Sequence, residues 1–398
     1  MDIHWGPGSN VGSLLVIGTD LYAGCYDLWG STGGVYRTTN LGTTWIKLTS
    51  SDTFNFVTSI AEMGGSIYVS TQGSGVFRST NLGLSWSISD SGLPPPTGFF
   101  SDYTYTIIVN DTNLLAGTVC RGAFLSNNGG ASWFQRGLNG FCILKFAFDN
   151  NTIYAGESGS GVLVSTNYGV NWTLRDNGFP GGVLSMIFHQ GNIFAGSFIG
   201  NGTNNGVYRS SNQGQNWVRA STGLPSNVEV HSFAVIENIL LAGTYGYGIF
   251  KSTDNGGSWF FISDGIPTNL SVRCFATISD KIFVGTSSNG VWMSNLSAIL
   301  SIKNEGTRSF YSFSLSQNYP NPFNPSTTIR FTLRESQITS LKIYDIFGKE
   351  VATLIHNKLM NEGTHEIEFD ATNLPSGMYF YRLQTKDFSE TKKLLLLK

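Results

Sequence analysis

Charge is what this chain has least of: Asp, Glu, Lys and Arg make up 13% of its 398 residues, against about 25% in ordinary soluble domains. Twenty-four basic and 26 acidic residues leave a net charge of −2, so there is no basic footprint for nucleic acid or an anionic membrane. No apolar run approaches the ~18 residues needed to span a bilayer. Four cysteines occur with no C-x-x-C spacing, which removes zinc-ribbon and thioredoxin readings. No metal and no cofactor is expected. Sustained helical periodicity flanked by caps is also missing. What remains is an all-β chain, and its 48 glycines suit turn-dense structure.

One phrase is written six times in the first 260 residues: a hydroxyl residue, a spacer, Asn or Asp, a spacer, Gly, two spacers, Trp. It runs from Thr38 through Asn40 and Gly42 to Trp45, then Ser79–Trp86, Ser126–Trp133, Ser165–Trp172, Ser210–Trp217 and Ser252–Trp259. Its Asx residues are Asn40, Asn81, Asn128, Asn167, Asn212 and Asp254. Successive tryptophans lie 41, 47, 39, 45 and 42 residues apart. A second phrase precedes each, as in Leu21–Gly24, Ile153–Gly156 and Leu240–Gly243, and a seventh copy, Ile282–Gly285, has no Trp phrase after it. A period near 40 marks a supersecondary unit that must stack on its neighbours to bury its apolar face.

The unit reads most clearly over 229–263, as strands at Glu229–Ile236, Ile239–Thr244, Gly248–Ser252 and Ser258–Ser263. Each is rich in Val, Ile, Tyr and Phe and bounded by Gly, Asn or Ser. Four strands per unit, seven times over residues 1–298, predict a seven-bladed β-propeller, whose radial packing leaves few open edges. The seventh unit lacks its last strand, and Met1–Trp5 is a short apolar strand without a blade. That segment is expected to pair with Gly290–Ser294 and shut the ring.

The Trp phrase resembles the Asp-box of the sialidase and BNR-repeat superfamily. There these turns lie on the face opposite the ligand, so the resemblance implies scaffold rather than site. The chemistry agrees: the Asx side chain bonds turn N–H groups, Gly supplies a positive φ, and Trp45, Trp86, Trp133, Trp172, Trp217 and Trp259 plug apolar space between sheets.

Composition changes after residue 298, with 299–310 a solvated linker. Alternating apolar residues (Ile329, Phe331, Leu333; Leu341, Ile343; Ile367, Phe369; Tyr379, Tyr381, Leu383) then predict a small Ig-like β-sandwich over 311–398. The Asn-Tyr-Pro-Asn-Pro-Phe-Asn-Pro block at 318–325, the segment Ile343–Val351, Ser376–Tyr379 and the tail Lys392, Lys393, Leu394, Leu395, Leu396, Leu397, Lys398 resemble the type A C-terminal sorting domain of the Bacteroidota type IX secretion system. The resemblance implies export to the cell surface or medium, with the outer-membrane translocon and its sorting peptidase as partners. It also implies a Sec leader. Met1–Leu15 has no basic region followed by an apolar core, so the leader is expected upstream of this sequence or already trimmed.

Catalytic signals are weaker. Asp27, Asp102, Glu157, Asp176, Glu229 and Asp264 fall on the loops expected to form a ligand face, where a pair could serve glycoside hydrolysis; turn carboxylates more often bond their own backbone. Sialidase chemistry needs three converging arginines, whereas Arg37, Arg78 and Arg209 are one repeat position. The repeats also resemble xyloglucan-cleaving Asp-box glycosidases, whose two catalytic aspartates face each other across two propellers; one ring cannot build that cleft. Trp29, Phe99, Phe100, Tyr103, Phe198, Tyr245 and Tyr247 are the ligand-binding candidates, placed to stack sugar rings or anchor a peptide, or else to pack inward. His189 and His231 read as satisfied core or channel residues. Cys120 and Cys142 can reach a common face and form a disulfide in an oxidising compartment, while Cys25 and Cys274 read as small buried apolar residues. The expectation is an exported, surface-attached binding or structural propeller with a glycan or protein ligand. The alternative is a glycoside hydrolase acting on extracellular polysaccharide.

Overall fold

A computed structural model describes residues 2–4, 10–27, 32–49, 56–95, 103–198, 204–262, 270–301, 314–333, 337–361, 363–386 and 388–398, with backbone alone at 2–4, 300 and 301. Contacts divide the chain into two units, Met1–Glu305 and Gly306–Lys398. In the first, the described residues form seven antiparallel sheets of four strands, the blades of a propeller. Strands are lettered A to D outward from the axis; strand A is Asn10–Ile17 in blade one, Val57–Met63 in blade two, Thr104–Asn110 in blade three, Ile143–Asp149 in blade four, Gly182–His189 in blade five and Val272–Ile278 in blade seven. Blade six is Val230–Ile236, Ile239–Thr244, Ile249–Ser252 and Phe260–Ile262, within two residues of the sequence reading at each end. In blade seven the outer strand is Asp2–His4, with Asp2 opposite Met293 and His4 opposite Val291. The chain's first strand therefore completes its last blade, as expected; Trp5 lies outside the described residues.

Blades meet through the second sequence phrase. Its glycine sits in strand B where strand A of the next blade presses in. A Cβ on Gly24 would lie 2.6 Å from Val57 Cγ1, and one on Gly285 2.8 Å from Val11 Cγ1. The latter contact joins blade seven to blade one. Val11, Val57, Val183, Val230 and Val272 pack around these glycines at zero exposure.

The Trp phrase forms the C–D turn and explains each of its residues. Thr38 Oγ1 accepts the Gly42 N–H at 3.0 Å, and Asn40 Oδ1 accepts the Thr44 N–H at 2.9 Å. The spacer before the glycine is left-handed too: Leu41 has φ 56°, Leu82 58° and Tyr168 55°. Ordinary residues tolerate that strain because the hydroxyl and Asx side chains hold the turn from both sides. The indole N–H groups of Trp133, Trp172, Trp217 and Trp259 reach back to carbonyls of Ser89, Arg136, Arg175 and Ala220 in the preceding blade at 2.7–2.9 Å. Strand D is only two or three residues long in blades one to six, and in blades two to five the next blade's tryptophan bonds the carbonyl that follows it.

In the second unit one sheet holds Ser314–Leu315, Ser326–Leu333 and Gly363–Asp370, and the other Glu350–Met360, Gln337–Tyr344, Gly377–Gln384 and Ser389–Leu396. Ile329, Phe331 and Leu333 face Leu341, Ile343, Tyr381 and Leu383 across a closed core. The alternation seen in the sequence is the alternation of buried faces.

Asp254 is the one acid among the six Asx residues. Partial burial alone would raise its pKa, but bonds from Ser258 Oγ, Ser258 N–H and Ser252 Oγ outweigh that and hold it below the usual carboxylate range. A depressed pKa contributes stability that is present above about pH 4 and lost as pH falls through the folded-state value. Asp254→Ala is expected to lower Tm by a few degrees, at about 1 kcal/mol per lost bond. Asp254→Asn should keep Tm at neutral pH and flatten the acid limb of a Tm-versus-pH curve. An unchanged acid limb would show that this turn makes no acid-sensitive contribution.

Candidate functional site

In every blade the A–B ladder skips one residue of strand A. The skipped residues are Gly12, Thr58, Tyr105, Leu144, Leu184, His231 and Arg273. A bulge re-aims one side chain out of the alternating pattern, and here it aims at the ring axis. Six of the seven, all but Leu144, line a cavity of ≈ 250 Å³ that Tyr26, Gln72 and Lys145 complete.

The residue after each bulge does the opposite job. Ser59, Ser185 and Ser232 donate through Oγ to carbonyls of the next blade's strand A, Ile107, Val230 and Val272, at 2.6–3.2 Å. Ser13 accepts from Ile60 N–H, and Cys274 Sγ contacts the Val11 carbonyl across the ring closure. Blade three has Thr106 here. Blade four has Lys145, the one long charged side chain at this position. No described residue gives its ammonium a hydrogen bond or ion pair.

Arg273 donates from Nε to Ser287 Oγ at 2.7 Å and also lacks a carboxylate partner among the described residues. His231 Nε2 lies 3.0 Å from Glu229 Oε2, and its ring stacks on Tyr245 with centroids 5.5 Å apart. Burial and the fields of Arg273 and Lys145 outweigh Glu229 and push the imidazole down to about 4. It is therefore neutral at pH 7 and donates Nε2–H to the carboxylate. Burial, together with the nearby Arg273, also pushes the Lys145 ammonium below its ordinary value. Among the described residues the site thus holds two basic side chains, Lys145 and Arg273, against the single carboxylate of Glu229.

The sequence candidates distribute as follows. Tyr103 lies 6.4 Å from the ring of cavity-lining Tyr105, and Tyr245 flanks the cavity through His231. Phe198 and Tyr247 are surface-exposed. Trp29, Phe99, Phe100, Asp102 and Asp264 lie outside the described residues. Glu157 is 6% exposed and accepts from Gly159, Ser160 and Cys142 N–H groups and Ser158 Oγ. Burial would raise its pKa, but those bonds hold it down; it organises a turn. Asp27 caps Thr32, and Asp176 stands in the turn to Phe179. Arg37, Arg78 and Arg209 stay on separate blades, bonded to Asp20, Ser66 and the Asn255 carbonyl. His231 is a channel residue; His189 is buried, but its Nε2 has no hydrogen-bond partner among the described residues, a departure from the satisfied state expected. The Cys120 and Cys142 sulfurs stand 2.9 Å apart. Sequence reasoning missed Lys145, Arg273, Tyr26 and Tyr105. Setting the seven strand-A phrases in register would have shown Lys145 standing where the others carry Ser, Thr or Cys.

The second unit's two marker phrases form one structure. Asn321 Oδ1 accepts the Leu395 N–H at 2.9 Å, while Phe323 and the last strand exchange backbone bonds at 3.0 Å. Asn318 Nδ2 bonds Thr327 Oγ1 and the Pro320 carbonyl, and the Tyr381 hydroxyl accepts the Asn318 N–H. The proline-rich block is thus a clip on the terminal strand. Leu394 and Leu396 are buried, while Lys393, Leu397 and Lys398 face solvent.

Residues 317–397 match the secretion system C-terminal sorting domain family, and the chain is a β-propeller protein that carries that domain. Type IX secretion to the cell surface or extracellular space follows from it, as does contact with the secretion machinery. No described helix is long and apolar enough to cross a membrane. Comparison with curated proteins finds no match. Among solved structures, the GH74 xyloglucanase from Xanthomonas campestris is similar at TM-score 0.59 and 16% identity, over 83% of this chain and 59% of that one. YCF48 bound to D1 peptide is similar at TM-score 0.58 and 14% identity, over 74% and 95%. YCF48 from Cyanidioschyzon merolae follows at 0.54 and 16%, over 73% and 96%. This chain spans about three fifths of the xyloglucanase's length, and at these identities the likeness shows the fold alone.

Fusing residues 311–398 to a folded reporter with a Sec leader is expected to send it to the surface or medium of a type IX-competent host. Retention in the periplasm, where an authentic sorting domain exports the same reporter, would contradict this. Deleting Lys392–Lys398 is a poorer test, because it also removes the buried Leu394 and Leu396 from the sandwich core.

Proposed function

We propose that the propeller is a non-catalytic binding module, displayed at the outer surface by its sorting domain, with a glycan or protein as ligand. The observation that carries this is the contrast at the ring axis. The turns, the strand-B glycines and the clip serines repeat from blade to blade, while the bulge position runs Gly, Thr, Tyr, Leu, Leu, His, Arg. A scaffold that repeats everywhere except at the bulge positions, six of which line the cavity, is built to present a specific lining.

Glycoside hydrolysis needs two carboxylates flanking one bond. No Asp or Glu lines the described cavity, and Glu229 reaches it only through His231. The likeness to GH74 structures favours hydrolysis no further than the shared fold. Tyr103, Tyr245, Phe198 and Tyr247, with Trp29, Phe99 and Phe100, remain the aromatic candidates for the surrounding contact surface.

A glycan array run beside a reducing-sugar assay separates the two activities. Retention of a defined subset of glycans, with no reducing ends released, is expected. Release of reducing ends in proportion to protein concentration would replace the binding reading with the hydrolase.

A further inference from the structure

Lys145 breaks the rule of its own repeat. At six equivalent positions a short polar side chain sits between blades, and in five of them it bonds the neighbouring blade. Blade four gives up that bond and sends an ammonium into the axial cavity beside Arg273 instead. Two basic groups in one small cavity repel each other when charged and lose hydration, and among the described residues only Glu229, bonded to His231, is there to offset them. Such a loss of scaffold bonding and of charge balance is compensated when an anion enters.

The lining narrows the class of anion. One basic group in excess among the described residues matches a carboxylate better than a dianionic phosphate. Tyr26 and Tyr105 put aromatic residues in the lining, and Thr58 and Gln72 add polar groups suited to hydroxyls. The volume, ≈ 250 Å³, admits one sugar-sized unit rather than a chain. We propose that the axial cavity binds the carboxylate of a single acidic sugar unit, with Lys145 and Arg273 on the carboxylate and Tyr26 and Tyr105 along the ring. This deepens the binding reading above and rests on it.

The test is calorimetric titration of the full chain with galacturonate, its neutral methyl ester, inorganic phosphate and an N-acetylated dipeptide. Galacturonate is expected to bind in the millimolar range, with the ester at least about tenfold weaker. Lys145→Ser restores the residue type found in blades one, two, five and six, so it should fold; Lys145→Met keeps the side-chain length and loses the charge. Both are expected to lose binding at least about tenfold while Tm stays near that of the parent. Equal binding of acid and ester, parent-like binding by Lys145→Met, or no binding of galacturonate up to about 10 mM would overturn the proposal. Phosphate or dipeptide binding in place of galacturonate would overturn it too. Glycan-array retention that survives any of these failures would leave the broader binding reading standing.

Discussion

The structure depends on one close approach: the innermost strand of a blade against strand B of the blade before it, where six blades carry glycine and blade two Ser70. Any side chain at Gly24 or Gly285 would collide with a valine of the neighbouring sheet, and close packing of this kind is felt at the scale of single methyl groups. With blades seated so tightly, the polar backbone of strand A still has to be satisfied between sheets. The serine after the bulge does this by bonding the next blade's carbonyl, and the bulge lets it lean outward while its predecessor turns to the axis. One local device thus supplies both the ring's cohesion and the lining of its cavity.

Function follows from where the repeat is broken. Positions that touch a neighbouring blade repeat nearly seven times over; positions freed by the bulge carry six residue types in seven blades. Lys145 lies between the two classes, a scaffold position given over to the cavity. In the second unit the same economy appears in another form. The proline-rich block and the terminal strand, bonded across 74 residues of chain, hold each other, so the exported address is displayed on a folded edge with Lys393 and Lys398 outward.

The blade count, the ring-closing first strand and the C–D turns were legible in the sequence, because each rests on local chemistry at fixed spacing: a hydroxyl, an Asx and a glycine within five residues. The export address was legible as ordered phrases at the chain end. The cavity was not. A bulge shifts the alternation by one residue, and period-two patterning cannot say which of two neighbours faces inward. Val230, His231 and Ser232 read as an ordinary strand start until the skipped pairing at His231 is known. The aromatic candidates were picked as loop residues, while the lining comes largely from strands; Tyr103 and Tyr245 come near it through Tyr105 and His231. Lys145 was overlooked because a lysine on a strand reads as a solvated one.

The binding role proposed for the propeller turns on what occupies the ring axis. A crystal structure of the protein grown with galacturonate tests this most directly. Density for one sugar in the axial cavity, its carboxylate within hydrogen-bond distance of Lys145 Nζ and the Arg273 guanidinium, is the predicted result. A sugar bound on the outer loops with the cavity holding water alone, or Lys145 turned outward to the blade interface, would contradict it.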